Sequence, residues 1–546
     1  MGSFWEPNTT TVVLATLIVA ALGASFYFRP PPPQIHPFLL GRQSAAAPTR
    51  HDGESPVYVN SANGGVRSPF RPEREVKTLR DVLDGSETCL DGGAKGTWVN
   101  GGEKLVEVIK ALRAGLLSKF AGVEGKVFVA VEDPTDALLV TLALATSPLK
   151  PVVIAPGSAI PSDLHFVAAV QSATDELTSS ASTLPSGIKV VLLGEEHQEA
   201  AYEILASGKT QPVEAAAAEP SDVALTIVSE GVPLELTHQN LTSSIVSWLS
   251  LFPASPQSTK PTLKDYIVSF HHPSTPYGLG LALLAIYQSS GLGLFTLPKN
   301  ATPDDLTVLL NKKNMPPATL FFGPTEVLAM PLYTSILKEM LGDMSFLIQY
   351  ARNSKLRLLR EGTVSKQTWG DSLLWAGLRK DLYLSFLRGI FLSGSLEQSR
   401  IETLRIALGC PTVSTLEHPF LLAPLSAGNM WDFQRLPPPG VKEINGREKG
   451  HIGAPTAGME IKLKGQESDI ASGRMRGEVL IRTPLLPLPA TLPSSLLQTD
   501  ETLPPLPAYP DKPAPAQTEN AGKWLRTGVK AEMGTEGVLW PIEEQK

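Results

Sequence analysis

Uncharged and mostly apolar positions run unbroken over residues 11–28 (TVVLATLIVAALGASFYF). At ~1.5 Å per residue this segment makes about 27 Å of helix, enough to cross the hydrocarbon core of a bilayer. Trp5 and Tyr27 flank it, where amphipathic rings favour the interface. Upstream the only charged side chain is Glu6; downstream Arg29, Arg42 and Arg50 precede the first acid, Asp52. That asymmetry predicts a single-pass anchor with everything from Arg29 onward in the cytosol. A cleaved signal peptide, with Gly23-Ala24-Ser25 as its small-residue site, lacks the basic leader such peptides carry. Gly2 opens no myristoylation signal, because the sixth residue is Glu6.

Beyond the anchor, RPPPPQ at 29–34 reads as a stiff extended spacer and 43–75 as loop. Then two periods alternate. Leu105, Val108, Ile109, Leu112 and Leu116 recur at helical spacing, and KVFVAV (126–131) is a short β-rich run. A proline-initiated helix over 134–145, a strand at 151–156, a helix over 163–177 and a strand at 188–194 follow. After a connector at 211–219 the rhythm resumes, with strands VALTIVS, YIVSF, LGLFTL and ATLFFG and helices over 279–287 and 332–341. Past residue 450, EIKLK and GEVLIRT read as strands of a smaller β unit, interrupted by a proline-rich loop at 484–515 before GKWLRTG. The β-α-β alternation predicts an α/β protein with two mostly parallel sheets plus a smaller β subdomain, preceded by one transmembrane helix. The segments are a tail and anchor (1–28), a linker (29–75), a first α/β subdomain (76–210), a second (211–449) and a β subdomain (450–546).

Composition changes this picture little. Hydrophobic residues are 42% and charged residues 18% of 546, a globular balance, and a net charge of −7 offers no footprint for nucleic acid. Cys89 and Cys410 are the only cysteines, so neither a disulfide framework nor a cysteine-rich metal site is available. His271-His272 lack nearby acid or cysteine ligands in sequence and read as loop histidines, as does His418; Ser393-Gly394-Ser395 is not a GxSxG nucleophile elbow.

Order carries more than any single motif. TLRDVLD (78–84), EPSDVALTIVSEGVPLELTHQNL (219–241), FLSGSLEQSRIETLRIALGCPTV (391–413), GHIGAPTAGMEIKLK (450–464) with RGEVLIRTP (476–484), and GKWLRTG (522–528) appear in the order found in adenylate-forming enzymes. The chain resembles the long-chain fatty acyl-CoA synthetases most closely, from residue 78 to its end. That resemblance implies the large N-terminal domain of those enzymes. It also implies a site where ATP with Mg²⁺ activates a carboxylate as an acyl-adenylate, from which coenzyme A takes the acyl group.

Position by position, the resemblance breaks down at the ATP site. The family's phosphate loop, SGTTGxPKG followed by Thr-His-x-Asn, corresponds to Ser229-Glu230-Gly231-Val232-Pro233 and then Thr237, His238 and Asn240. The run of hydroxyls and the lysine are missing, and Glu230 puts an anion where phosphates would approach. The expected structure is a short strand-to-helix turn capped by Thr237. Aligned without gaps to the family's GYGxTE, Leu416 replaces the aromatic that stacks on adenine, Pro419 the threonine and Phe420 the metal-binding glutamate, while a shifted alignment brings Glu417 into play but not the whole set. In its TGD, Thr527 and Gly528 remain while Val529 replaces the ribose-binding aspartate. Its hinge falls on 542–546, with Glu544 where an arginine belongs, and the lysine-bearing C-terminal domain is expected to be absent. Ser229, Thr237, His238, Thr527 and Gly528 are therefore read as remnants of cofactor-binding motifs, with no catalytic residue and no metal ligand.

These readings lead to a membrane-anchored acyl-CoA synthetase-like protein, inactive or impaired, that binds or scaffolds in lipid metabolism. Its expected partners are the bilayer and a fatty acid or acyl chain, at the endoplasmic reticulum or a lipid-droplet-associated membrane. The alternative is an active long-chain fatty acid–CoA ligase, which alone would require ATP, Mg²⁺ and CoA.

Overall fold

A computed structural model describes residues 8–27, 34–35, 37–48, 50–61, 71–90, 97–98, 103–155, 165, 167–172, 188–193, 204, 213–252, 260–298, 301–310, 317–342, 346–368, 370–433, 449–488, 491–499 and 523–542. Two largely parallel sheets and one antiparallel sheet organise them. The first sheet runs Val232–Thr237, Val223–Ser229, Lys150–Ile154, Lys126–Ala130, Ala168–Ser172, Lys189–Leu193, parallel except at the edge pair Val223–Ser229 and Val232–Thr237. The second has a parallel centre of Thr412–Leu416, Gly389–Ser393, Leu320–Pro324, Tyr266–Ser269 and Gly291–Leu294. Antiparallel strands extend both of its edges, among them Cys89–Leu90 and Thr97–Trp98 on one side. The third sheet is antiparallel and contains Glu460–Lys464, Arg476–Arg482 and Lys523–Met533.

Local chemistry explains the elements that agree with expectation. The helix Pro134–Ala145 starts where the Asp133 carboxylate accepts from the amides of Thr135 and Asp136 with Pro134 in the first turn. It is buried almost throughout, against the helix Leu105–Lys119 and its sheet. Pro276–Tyr287 begins the same way, with Thr275 accepting from the Gly278 amide. Gly280 sits on its buried face, where a Cβ would lie 1.7 Å from the Leu422 carbonyl oxygen. A side chain there would force the helix off its neighbour.

Three expectations are corrected. The helix expected over 163–177 is instead the strand Ala168–Ser172, all five residues buried between Lys126–Ala130 and Lys189–Leu193. Small and β-branched side chains fit an interior parallel strand buried on both faces, where no alternation shows. The stretch read as loop at 43–75 contributes Ser44–Ala46 and Tyr58–Asn60 to the third sheet, and its Glu54 carboxylate receives the buried Lys462 ammonium at 2.6 Å. The division at 210/211 also runs through the first sheet, because Val223–Ser229 pairs with Lys150–Ile154.

The anchor segment is a helix, Thr9–Tyr27. Its side chains are described as far as Gly23, and Val12, Leu14, Leu17 and Val19 are all more than half exposed. Among the described residues, no helix is long and apolar enough to cross a membrane. The transmembrane span expected at 11–28 is thus present as an exposed apolar helix, not as a demonstrated span.

A buried polar knot fixes the outer face of the second sheet. The Lys355 ammonium donates to Asp371 Oδ1 at 2.6 Å and to the Ile406 carbonyl at 2.8 Å, and Arg379 donates to the same Asp371 oxygen at 2.7 Å and to the Ala407 carbonyl. Burial lowers the Lys355 pKa to about 8 against the pull of Asp371. Burial alone would raise the Asp371 carboxyl, but Lys355, Thr368 and Arg379 hold it below its ordinary range. Removing one partner strands the other charges in a low-dielectric site, a cost of about 3–5 kcal/mol. Asp371→Ala is expected to destabilise the chain by that amount, read as a lower denaturation midpoint with unchanged slope.

Candidate functional site

In open α/β sheets, ligands settle beyond the carboxyl ends of the parallel strands. In the second sheet those ends are Ser269, Pro324, Ser393 and Leu416, followed by the loops carrying His271, Gly394 and Glu417. His271 is buried there, its Nε2 3.4 Å from the Ser393 hydroxyl and its Nδ1 3.6 Å from Glu417 Oε2. The Tyr277 ring lies 4.5 Å from the imidazole, and its hydroxyl bonds Thr415 Oγ1 at 2.9 Å. Sequence reading kept these residues apart as loop histidines and an unremarkable Ser-Gly-Ser. Nothing local signals their meeting, since it depends on three crossovers.

Serine, histidine and glutamate stand in the spatial order of a nucleophile, base and orienting acid, but the cluster lacks the properties that order needs. Burial pushes the His271 pKa down to about 3, far from the near-neutral value of an effective base. The Gly394 amide, beside the serine, donates to the Thr415 carbonyl at 2.8 Å and is not available to an oxyanion. The cluster is a packed polar plug. Behind it, Trp248 meets Tyr277 edge-on at 4.8 Å and Phe322 stacks on Phe391 at 4.5 Å.

The expected phosphate loop takes a different form from the strand-to-helix turn. Val223–Ser229 and Val232–Thr237 form a β-hairpin joined by Glu230 and Gly231, both at positive φ (51° and 77°). Two consecutive left-handed residues make the tight turn whose twist suits a hairpin. The register runs from Ser229↔Val232 at the turn to Val223↔Thr237 at the open end. Ser229 and Thr237, expected as parts of one cradle, therefore lie about 17 Å apart along the strand, at ~3.3 Å per residue.

Thr237 and His238 have structural work instead. Thr237 Oγ1 accepts from the Asn240 amide while Asn240 Oδ1 accepts from the Thr237 amide, a reciprocal cap on His238–Leu249. The Asn240 amide group then donates to the carbonyls of Pro484 and Leu486, and His238 Nδ1 accepts from the Leu79 amide at 3.2 Å. Burial, reinforced by Lys150, lowers the His238 pKa to about 4. The helix start capped by Thr237 is as expected.

Thr527 and Gly528 sit in the middle of Lys523–Met533, beside a register shift against Arg476–Arg482. Thr527 donates to the Val479 carbonyl at 2.8 Å and accepts from the Val529 amide, while Gly528 takes φ 69°. Val529 packs against the main core, offering no acceptor for ribose hydroxyls. Leu416 is half-buried and Phe420 buried, its amide donating to His418 Nδ1, and burial lowers the His418 pKa to about 4. Of the hinge, Ile542 is described and donates to the Lys530 carbonyl; 543–546 lie outside the described residues. Among the described residues, no three His, Cys, Asp or Glu side chains gather as a metal would require. On the correspondences that the resemblance implies, the residues do not fit ATP with Mg²⁺: the strand amides of the hairpin are paired, Val529 stands where an acid would hold ribose, and Phe420 stands where a glutamate would hold the metal.

No protein-family model matches the chain, and no curated protein sequence does. Solved structures do match. A long-chain-fatty-acid-CoA ligase from Archaeoglobus fulgidus aligns with a TM-score of 0.57 over 88% of this chain and 86% of its own, at 16% identity. A benzoate CoA ligase from Burkholderia xenovorans LB400 aligns at 0.53 over 85% and 78%, at 15% identity. A fatty acyl CoA synthetase from Mycobacterium tuberculosis aligns at 0.53 over 86% and 78%, at 11% identity. At such identities the likeness establishes the fold, that of adenylate-forming acyl-CoA ligases.

Two outcomes follow from the geometry. His238, His271 and His418 are held neutral by burial, with folded pKa values of about 4, 3 and 4 against an ordinary 6.5. Between pH 6.5 and 4 the unfolded chain binds protons that the folded chain refuses, so this stability is complete above about 6.5 and is lost as pH falls. Thermal unfolding across that window should show a falling midpoint, with a shallower slope in His238→Asn. The hairpin turn supplies the other test: asparagine tolerates positive φ better than glutamate, so Glu230→Asn should stabilise by about 0.5–1 kcal/mol in chemical denaturation.

Proposed function

We propose that this chain is a membrane-anchored protein of the acyl-CoA synthetase-like fold that does not activate carboxylates with ATP. Its role in this reading is to bind or scaffold at a lipid surface. The observation that carries the reading is the Val223–Thr237 hairpin. The backbone amides that would wrap a triphosphate are bonded across the strand pair, and the turn holds two residues with Glu230 at its tip. Opening that hairpin to phosphate would break a ladder before gaining any contact, and would bring the phosphates toward a carboxylate.

Support for the lipid side comes from apolar surface. The helix Thr9–Tyr27 exposes its aliphatic side chains, and the arginines that follow it favour a cytosolic domain; the resemblance to long-chain acyl-CoA synthetases points to the endoplasmic reticulum or a lipid-droplet-associated membrane. A recess of about 620 Å³ is lined by Phe38, Leu39, Tyr58, Met475 and Met533 together with Arg42. An apolar wall with one cation suits an amphiphile such as a fatty acid.

The experiment is fatty-acid-dependent ATP–pyrophosphate exchange with the full-length chain in detergent or vesicles, alongside equilibrium binding of ATP and of a fluorescent fatty acid. Exchange at background, no saturable ATP binding and saturable fatty-acid binding are expected. Robust exchange, or micromolar ATP binding abolished by Thr237→Ala, would overturn the reading.

A further inference from the structure

The helix Phe346–Arg360 carries Arg352, Lys355, Arg357 and Arg360 and no acid over 15 residues, in a chain whose net charge is −7. Its cations divide by depth. Lys355 points inward to the knot with Asp371, which fixes the rotation of the helix about its axis. Tyr350, Arg357 and Arg360 then fall on the outer face at helical spacing, all exposed, with Arg357 also reaching Glu361 one turn later at 3.4 Å. A helix with an apolar inner face and a basic, aromatic outer face is the pattern of a helix lying on an anionic lipid surface.

Two further features lie at the chain just past the C-terminal end of this helix. At its end, Gln34 and Val364 exchange hydrogen bonds, the Gln34 amide group donating to the Val364 carbonyl and the Val364 amide donating to Gln34 Oε1. Gln34 is seven residues past the exposed apolar helix Thr9–Tyr27. Lys366, two residues beyond Val364, grips the loop after Ala376–Asp381 by donating to the carbonyls of Ser385 and Leu387. That loop holds Tyr383 at φ 57° and leaves Phe386 with 67% of its surface in solvent. Exposed aromatic rings beside cations are the composition of a membrane interface. Since Gln34 fixes the tether's exit beside them, any membrane holding the apolar helix lies within reach. Seven residues span at most ~25 Å.

From this we infer a second, peripheral membrane contact: the outer face of Phe346–Arg360 with Tyr383 and Phe386 rests on an anionic bilayer and sets the orientation of the domain. Arg357 and Arg360 meet lipid phosphates, and Phe386 enters the headgroup region. The inference rests on the anchored reading above and adds to it a fixed face.

The test uses the full-length chain mixed with vesicles of phosphatidylcholine alone or with ~30% phosphatidylserine, bound protein being isolated by flotation. Phe386→Cys and, as a reference on the separate helix Glu467–Ala471, Ser468→Cys each carry an environment-sensitive fluorophore, and the lipids carry a headgroup nitroxide quencher. The expected result is strong quenching at 386 on anionic vesicles, little at 468, and loss of at least half of the 386 quenching when Arg357→Glu and Arg360→Glu are combined, with flotation retained. Flotation with equal, weak quenching at both positions would overturn the oriented contact and leave the anchor standing. Failure to float on either vesicle would overturn both.

Discussion

A backbone amide serves one strong acceptor at a time, and the first sheet's edge commits a whole set of them to cross-strand bonds. A phosphate-binding loop works because successive N–H groups are left unpaired and converge on an anion. In the Val223–Thr237 hairpin the chain turns in two residues and zips. The consequences spread from there. With the turn drawn in, Ser229 is carried to one end of the hairpin and Thr237 to the other, so two remnants of one motif no longer share a ligand. Pro233 is accommodated because Val232–Thr237 is an edge strand, where a missing donor can face outward. Leu416, Phe420 and Val529 are each absorbed into packing or local hydrogen bonding.

How much of this could be read in the sequence depended on whether the signal was local. The helix Pro134–Ala145 was legible to the residue, because Asp133 and Pro134 write its start and the apolar run its length. The substitutions at Glu230, Leu416, Phe420 and Val529 were legible as chemistry, since each replaces a group of one function with a group lacking it. Geometry was not. Glu230-Gly231 is a poorer hairpin signal than Asn-Gly, so the hairpin looked like an open turn. Ser44–Ala46 and Tyr58–Asn60 are three residues each, too short for any period to show, and Ala168–Ser172 is buried on both faces and shows no alternation. The meeting of His271, Ser393 and Glu417 spans 146 positions of sequence and left no trace in any one stretch.

The segment following the apolar helix is more than a spacer. Gln34 docks at Val364, Gln43 donates to Asp432 beside the buried Arg405, and Glu54 holds Lys462 inside the third sheet. Asp432 and Glu54 are buried, so each contact would leave a costly charge if withdrawn. The strap thus ties the chain after the apolar helix to the domain through polar contacts at widely separated points. A segment held so firmly fixes the direction in which the apolar helix leaves the domain, whereas a floppy linker would fix only its distance.

The motif fragments that still resemble a ligase's are those with a second, structural duty. Thr237 and Asn240 cap a helix reciprocally, Asn240 reaches the chain after Arg476–Arg482, and His238 receives the amide that begins Leu79–Asp84. Replacing any of them would leave buried donors or acceptors unpaired, at about 1–3 kcal/mol each. Leu416, Phe420 and Val529, at positions that the resemblance assigns to nucleotide and metal, pack in or against the main core. Resemblance at Thr-His-x-Asn is therefore evidence about how the sheet edge is held to its neighbours, and it carries no weight for ATP chemistry. The fold's hydrogen bonds and the reaction's hydrogen bonds draw on different atoms, so a chain can keep this fold over most of its length whether or not it keeps the chemistry.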